Sequence, residues 1–370
     1  MYGLVKRGLF LLSPERAHSL AMAALRLLGT THPKPALPSS GADLSLTSAG
    51  LRFTHPVALA AGFDKDAEAV AGLFGVGFAG VEVGTVTPRA QPGNPSPRLF
   101  RIPEARALIN RMGFNNHGVA AMAARLRALG RRAGPVGVNL GKNKDTPLER
   151  AVDDYVAGVE ALGALADYLV VNASSPNTPG LRQLQQSEPL RVLLSRVKGR
   201  LDAVAPGKPL FLKIAPDLSP EEVDAVVDIA AEVGIAGLIC TNTTLARPGV
   251  GGPVAAEAGG LSGVPLAPLS LATLRRAADR ARGRLALWAS GGIFTADDVL
   301  ERLEAGADLC QAYTAFVYEG PFFVPHLLSE LRARLAARGL DALPRRATSG
   351  ASLATGASPQ RGRPGSPRTM

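Results

Sequence analysis

Tyr168-Leu169-Val170-Val171-Asn172-Ala173-Ser174-Ser175-Pro176-Asn177 is the stretch from which the architecture can be read: an apolar run that stops abruptly in a polar segment. A short β-branched run closed by turn-forming residues reads as a strand buried on both faces, as in parallel sheets. The same unit recurs on either side, at Val57–Ala61, Ala79–Gly84, Val136–Leu140, Leu210–Ile214, Gly237–Thr241, Leu285–Ala289 and Asp308–Tyr313. Helical patterns follow most of these runs, such as Pro220–Val233 after the fifth and Ala296–Glu304 after the seventh. Eight strands with helical crossovers predict an α/β fold, a closed (β/α)8 TIM barrel, over residues 34–343. The connection at about 85–115 exceeds an ordinary loop and reads as a functional insertion.

Two further regions flank the barrel. In residues 1–33, Ser13 before Pro14 is a helix-start signal. Ala17, Leu20, Ala21, Ala24, Leu25 and Leu28 then form one apolar stripe that Gly29 is expected to end. The run Leu9–Leu12 is too short for a signal-peptide core, and charges interrupt any spanning segment. Residues 344–370 are rich in Arg, Ser, Gly and Pro and nearly lack large apolar side chains, which predicts a disordered basic tail. Arg345, Arg346, Arg361, Arg363 and Arg368 supply half of the net charge of +10, and Lys6, Arg7, Arg16 and Arg26 against Glu15 supply three more. Charge gathered at the chain ends, beside an amphipathic helix, suits an anionic membrane surface and argues against nucleic acid. Cys240 and Cys310 sit in apolar runs without histidines at ligand spacing, so neither a disulfide nor a metal site is expected.

In such barrels chemistry sits where strands end. Here polar residues collect at every strand end. They include Lys65 and Thr85 after the first two strands, Asn139 and Asn172 after the next two, and Lys213 and Thr241-Asn242-Thr243 after the fifth and sixth. Ser290-Gly291-Gly292 and Tyr313-Thr314 close the last two. Lysines inside apolar stretches need partners, which an anionic ligand supplies. Gly291-Gly292 and Thr314 lie where barrels commonly bind phosphate, whereas the G-x-G-x-x-G fingerprint of a Rossmann nicotinamide site is absent. A phosphate-bearing ligand with a planar hydrogen-bonding ring accounts for Asn139, Asn172 and Lys213 together, and FMN is such a ligand. Asn110, Asn172, Asn177 and Asn242 present planar donor–acceptor pairs suited to a pyrimidine edge.

Several long motifs in unbroken order resemble dihydroorotate dehydrogenase. These are Ala60–Asp66, Gly84–Pro88, Ile109–Asn115, Gly141–Thr146, Asn172–Gly180 and Thr241–Thr244. The resemblance spans about residues 1–340 and is close to the class 2, quinone-dependent, membrane-associated branch. It implies oxidation of (S)-dihydroorotate to orotate in pyrimidine biosynthesis, with FMN passing electrons to a quinone. By motif it makes Ser175, rather than Ser174, the base that takes the C5 proton while hydride leaves C6. A serine in that role needs an onward route for its proton and exclusion of bulk solvent. The resemblance assigns Ala61, Gly62, Lys65, Thr85, Asn139, Asn172, Lys213, Thr241, Gly263, Gly292, Tyr313 and Thr314 to FMN. Lys213 would stabilise the anionic reduced flavin. The substrate site takes Lys65, Asn110, Arg111, Met112, Gly113, Phe114, Asn172, Asn177, Asn242 and Thr243, and Gly259–Gly263 matches the glycine-rich loop.

In the class 2 pattern the N-terminal helices form a quinone tunnel, here with His18, Arg101 and Tyr313 as its polar contacts. The same pattern implies a monomer held peripherally on the cytoplasmic face of the cell membrane. Ala173 and Ser290 depart from the family, which usually has larger or more apolar residues there. Two other readings stand beside this one. A soluble class 1 type, using fumarate or NAD, would carry a cysteine base in place of Ser175. A non-catalytic membrane-surface barrel would not need Lys65, Asn110, Ser175 and Lys213 together.

Overall fold

The computed structural model describes residues 2–31, Leu37 and residues 41–344. The expected tail beyond Pro344 and the expected boundary at 33/34 lie outside the described residues. Eight parallel strands close a barrel: β1 Val57–Leu59, β2 Val81–Val86, β3 Val136–Leu140, β4 Tyr168–Asn172, β5 Leu210–Ile214, β6 Gly237–Cys240, β7 Ala286–Ser290 and β8 Leu309–Ala312. Each coincides with a predicted run, and β3, β4 and β5 agree to the residue. The helices Pro220–Val233 and Ala296–Glu304 also agree. Ser219 with Glu222, and Thr295 with Asp298, form reciprocal capping boxes that satisfy the first free N–H groups.

Strand alternation divides the barrel into layers. Residues facing outward, such as Leu210, Leu212 and Ile214, join the helices in the main core. Residues facing inward fill the lumen. Its lower part is an aromatic plug in which Tyr168, Phe211 and Trp288 pack with Phe53 from a hairpin, Leu46–Ser48 and Leu51–Phe53, at the barrel base. Trp288 Nε1 donates to Ser48 Oγ at 3.0 Å, which satisfies the one polar atom of that ring. Gly137 is required there, because a Cβ would lie 2.0 Å from the Tyr168 ring. Two residues further along their strands, Tyr168, Phe211 and Leu309 are replaced by Val170, Lys213 and Gln311. The plug thus gives way to a polar layer toward the C-terminal mouth.

The long 85–115 connection folds into a hairpin, Leu99–Ile102 and Ala107–Asn110, that also pairs with Gly260–Gly263. This three-stranded sheet walls one side of the mouth and sets Asn110 opposite Gly260. The predicted glycine-rich loop is therefore largely a strand.

Helices α1, Tyr2–Leu11, and α2, Pro14–Thr30, precede the barrel. Pro14 occupies the first turn of α2 as expected, but Gly29 lies inside the helix instead of ending it. The reason is packing: a Cβ on Gly29 would meet Gly72 N at 2.9 Å, and one on Gly72 would meet the Leu25 carbonyl oxygen at 1.9 Å. Backbone therefore touches backbone where α2 crosses the helix Val70–Gly75. The buried face of α2 is Met22, Leu25 and Gly29; the expected stripe members Leu20 and Ala24 face outward.

Candidate active site

The cleft at the C-terminal mouth encloses about 1080 Å3 of empty space, part of it open to solvent. Its walls carry Ala61, Gly62, Lys65 and Thr85 from the first two strand ends, and Asn172, Ser175, Asn177, Lys213, Thr241, Asn242 and Thr243 from the next. Asn110, Met112, Gly113 and Phe114 come from the insertion, and Gly263, Gly292, Tyr313 and Thr314 complete the ring. Two members of the predicted set stand apart. Asn139 is fully buried beneath the cleft, donating to Glu82 Oε1 at 2.8 Å and accepting from Thr85 Oγ1 at 2.5 Å. Arg111 turns its guanidinium to Glu257 at 2.5 Å and over the Phe100 ring at 4.7 Å.

Within the β4 loop the two serines have different surroundings. Ser174 is fully buried, donating to Asn172 Oδ1 at 3.2 Å and accepting from Asn242 Nδ2 at 3.0 Å. Ser175 instead lines the cleft, and its Oγ accepts the Asn177 backbone N–H at 3.2 Å. Asn177 Nδ2 reaches Asn110 Oδ1 at 3.2 Å, which ties the β4 loop to the insertion. Asn172 commits both amide hydrogens inside the protein, to Thr85 Oγ1 at 2.9 Å and Asn139 Oδ1 at 3.0 Å. Cys240 and Cys310 are buried in β6 and β8, away from the cleft, and burial pushes both thiols up to about 12.

The two lysines differ in their partners. Lys213 Nζ meets an amide oxygen, Gln311 Oε1, at 3.4 Å; burial lowers its pKa, and the charge of Glu82 opposes that shift. Lys65 is pulled down to about 8 by burial and then by the Arg98 charge, while Asp66, Asp64 and Glu15 act the other way. Glu82 and Gln311 were missed in the sequence, although a glutamate between Val81 and Val83 in a buried strand is itself a signal.

A second, smaller cleft lies between α2 and the barrel, with Lys65, Leu99, Met112 and Tyr313 shared between the two. His18 is there, its ring edge-on to Phe63 at 5.0 Å, and Phe63 in turn meets Tyr313 at 5.8 Å. Burial, and next the Lys65 charge, hold the His18 imidazole down at about 4. Arg101 does not join them. Its guanidinium donates to the carbonyls of Leu9 at 3.2 Å, Phe10 at 3.4 Å and Leu12, at the end of α1. The basic residues lining this cleft with His18 are Arg26, Lys65 and Arg98, the last paired with Glu15 at 3.0 Å.

Fold and cleft together define a barrel enzyme with a polar, cation-bearing mouth suited to a planar ligand. The dihydroorotate dehydrogenase family model matches residues 43–335, and the chain belongs to that family. It is 61% identical over 345 residues to the dihydroorotate dehydrogenase (quinone) of Myxococcus xanthus, covering 92% of this chain and 95% of the relative. A relative of the same name from Anaeromyxobacter dehalogenans is 52% identical over 346 residues, covering 93% and 95%. The crystal structure of the Eimeria tenella dihydroorotate dehydrogenase in complex with ferulenol superposes with a TM-score of 0.82 at 41% identity. That match covers 88% of this chain and 92% of the other.

Proposed function

We propose that this protein oxidises (S)-dihydroorotate to orotate in pyrimidine biosynthesis, with FMN as its cofactor and a membrane quinone as electron acceptor. The observation that carries this reading is the convergence in one cleft of the Ser175 hydroxyl, the buried Lys213 ammonium and the Asn172–Asn242 amide pair. FMN fits the residues present. Gly291 and Gly292, at φ 119° and 68°, turn the chain against the helix Ala267–Ala281 and leave no side chain between backbone and cleft. With Gly263 and Thr314 they would hold the phosphate. Lys213, whose one hydrogen bond among the described residues is to the Gln311 amide oxygen, would give its charge to the ring system.

When bound, FMN supplies a hydride acceptor that can later be reoxidised by quinone. The remaining work falls to the chain. Ser175 Oγ takes the C5 proton, and the Asn177 N–H that it accepts offsets negative charge on that oxygen. Lys65 and the asparagine amides orient the substrate carboxylate and ring. Ser174, with its hydrogen bonds already made inside the protein, supports Asn172 and Asn242.

The acceptor half of the reaction we place at the cleft under α2, between His18 and Tyr313. Exposed Val5, Leu11, Leu20 and Leu27 on α1 and α2 support peripheral binding at a membrane surface, while the cytoplasmic face and the monomeric state rest on the family resemblance. Among the described residues no helix is long and apolar enough to cross a membrane.

The test is anaerobic. Purified protein should be yellow and bleach with dihydroorotate, and Ser175→Ala should keep FMN while bleaching about 100- to 10,000-fold more slowly. A flavin that stays oxidised rejects the reaction, and equal rates in variant and parent reject Ser175 as base.

A further inference from the structure

The floor of the cleft holds a carboxylate that the reaction above leaves unused. Glu82 is fully buried; its Oε1 accepts from Asn139 Nδ2 at 2.8 Å and its Oε2 from Gln311 Nε2 at 2.5 Å. An ionised carboxylate only accepts hydrogen bonds, whereas a side-chain amide accepts at one end and donates at the other. Each amide next to Glu82 is therefore turned one way, and it turns the next.

Asn139 gives its NH2 to Glu82, so its Oδ1 faces Thr85 Oγ1 at 2.5 Å and Asn172 Nδ2 at 3.0 Å. The Asn172 NH2 is thereby committed, and its Oδ1 faces the Ser174 hydroxyl and Asn242 Nδ2, both at 3.2 Å. Asn242 Oδ1 then takes the Thr243 N–H at 2.8 Å. On the other branch Gln311 gives its NH2 to Glu82 and turns its Oε1 to Lys213 Nζ at 3.4 Å.

We propose that Glu82 is a positioning residue whose acceptor-only carboxylate dictates the orientation in which the Asn172 and Asn242 amides are held beside the pyrimidine ring. Through Gln311 it likewise keeps a carbonyl, not an amide N–H, against the Lys213 ammonium. The proposal rests on the reading that these amides face dihydroorotate and orotate.

A charge relocation tests it. Glu82→Gln keeps the shape but makes one face a donor. If Asn139 turns to accommodate it, NH2 meets NH2 at Asn172 and the mismatch travels to Asn242. If Gln311 turns, its NH2 meets the Lys213 ammonium. Adding Asn139→Asp restores every later orientation. The carboxylate then at position 139 accepts from the amide at position 82, from Thr85 and from Asn172, while the amide oxygen at position 82 accepts from Gln311. Asn139, which the resemblance gives to FMN, lies outside the cleft lining, so FMN content is read beside orotate affinity in the double variant.

Orotate affinity is measured by calorimetry on the FMN-loaded proteins, with FMN content and unfolding midpoint alongside. Glu82→Gln should bind orotate roughly 10- to 100-fold more weakly, as expected for a mispaired buried polar group. The double variant should recover most of that loss. Unchanged affinity in Glu82→Gln, or a loss that the double variant does not recover, overturns the proposal; a purely space-filling Glu82 predicts the unchanged affinity. Should Glu82→Gln fail to fold, the double variant must fold and bind, and an unfolded double variant refutes the idea. A parent protein that binds no orotate overturns the functional reading, and this proposal with it.

Discussion

Gly72→Ala tests how the N-terminal helices serve the barrel. The added methyl would lie 1.9 Å from the Leu25 carbonyl oxygen and 2.7 Å from its carbon. Both are α2 backbone, so no rotamer change relieves the clash and the helix itself must move. Full undocking would expose Met22 and Leu25, each 7% exposed now. At about 1.5–3 kcal/mol for each such side chain, undocking costs roughly 3–6 kcal/mol as an upper bound. Overpacking relieved by a backbone shift costs about 1–3 kcal/mol. The smaller cost wins, so α2 should stay docked but displaced, distorting the cleft that holds His18, Met22, Phe63 and Tyr313. Hydrogen exchange in α2 should rise. Anaerobic flavin reduction by dihydroorotate should stay close to the parent rate, because Ser175 and Lys213 lie outside the displaced cleft. Reoxidation by a soluble quinone should slow about tenfold, the equivalent of roughly 1.4 kcal/mol of that displacement. Faster exchange with unchanged reoxidation would refute the acceptor assignment, and unchanged exchange would refute the packing argument.

Two further outcomes concern pH. Lys65 titrates at about 8, lowered chiefly by burial, and loses its charge as pH rises through that value. Orotate affinity should therefore fall between pH 7 and 9.5, and Lys65→Arg should flatten the profile; a flat parent profile would remove Lys65 from the anion site. His18 and His55 are both held down to about 4 by burial, below the ordinary 6.5. Between those values the unfolded chain binds more protons, so stability is present above about pH 6.5 and is lost as pH falls toward 4. His55 takes the Val57 N–H on Nδ1 at 3.3 Å and pairs Nε2 with the Gly77 carbonyl at 2.8 Å, a pattern only the neutral ring satisfies. The unfolding midpoint should drop across that window, and less steeply in His55→Gln; an equal slope would exclude His55 as a contributor.

The barrel is legible because buried parallel strands must be apolar runs and helices repeat every three to four residues, so Tyr168–Asn172 and Pro220–Val233 each announce themselves. The hairpin at 46–53 is not, since its strands are three residues long and only one face is buried. In the sequence Gly29 looks like a helix stop, because a glycine that ends a helix and one that lets two helices touch are alike until the partner, Gly72, is in place. Arg101 shows the same limit. Its position in the chain fits a tunnel, but three carbonyls freed at the end of α1 compete for its guanidinium and hold it. Glu82 and Gln311 lacked a loop signal because they lie within strands, where only alternation reveals an inward side chain.

That alternation also bears on how two half-reactions share one barrel. The aromatic plug of Tyr168, Phe211 and Trp288 closes the lumen from below, so a ligand over the polar layer is reached from the mouth or from the α2 side. Lys65, Leu99, Met112 and Tyr313 form a common wall, one face on the main cleft and the other on the cleft beneath α2. On the proposed assignment, a cofactor held against that wall would be met by substrate on one side and by acceptor on the other, without either displacing it. Lys65 is placed to respond to both, since its charge is stabilised by Asp66 and Asp64 on its own loop and by Glu15 across the second cleft, and opposed there by Arg98. A charge change at Glu15 should therefore alter orotate affinity although Glu15 lines only the second cleft. On that assignment the plug below and the shared wall at the side would let one barrel keep the pyrimidine and the acceptor apart while both address the same cofactor.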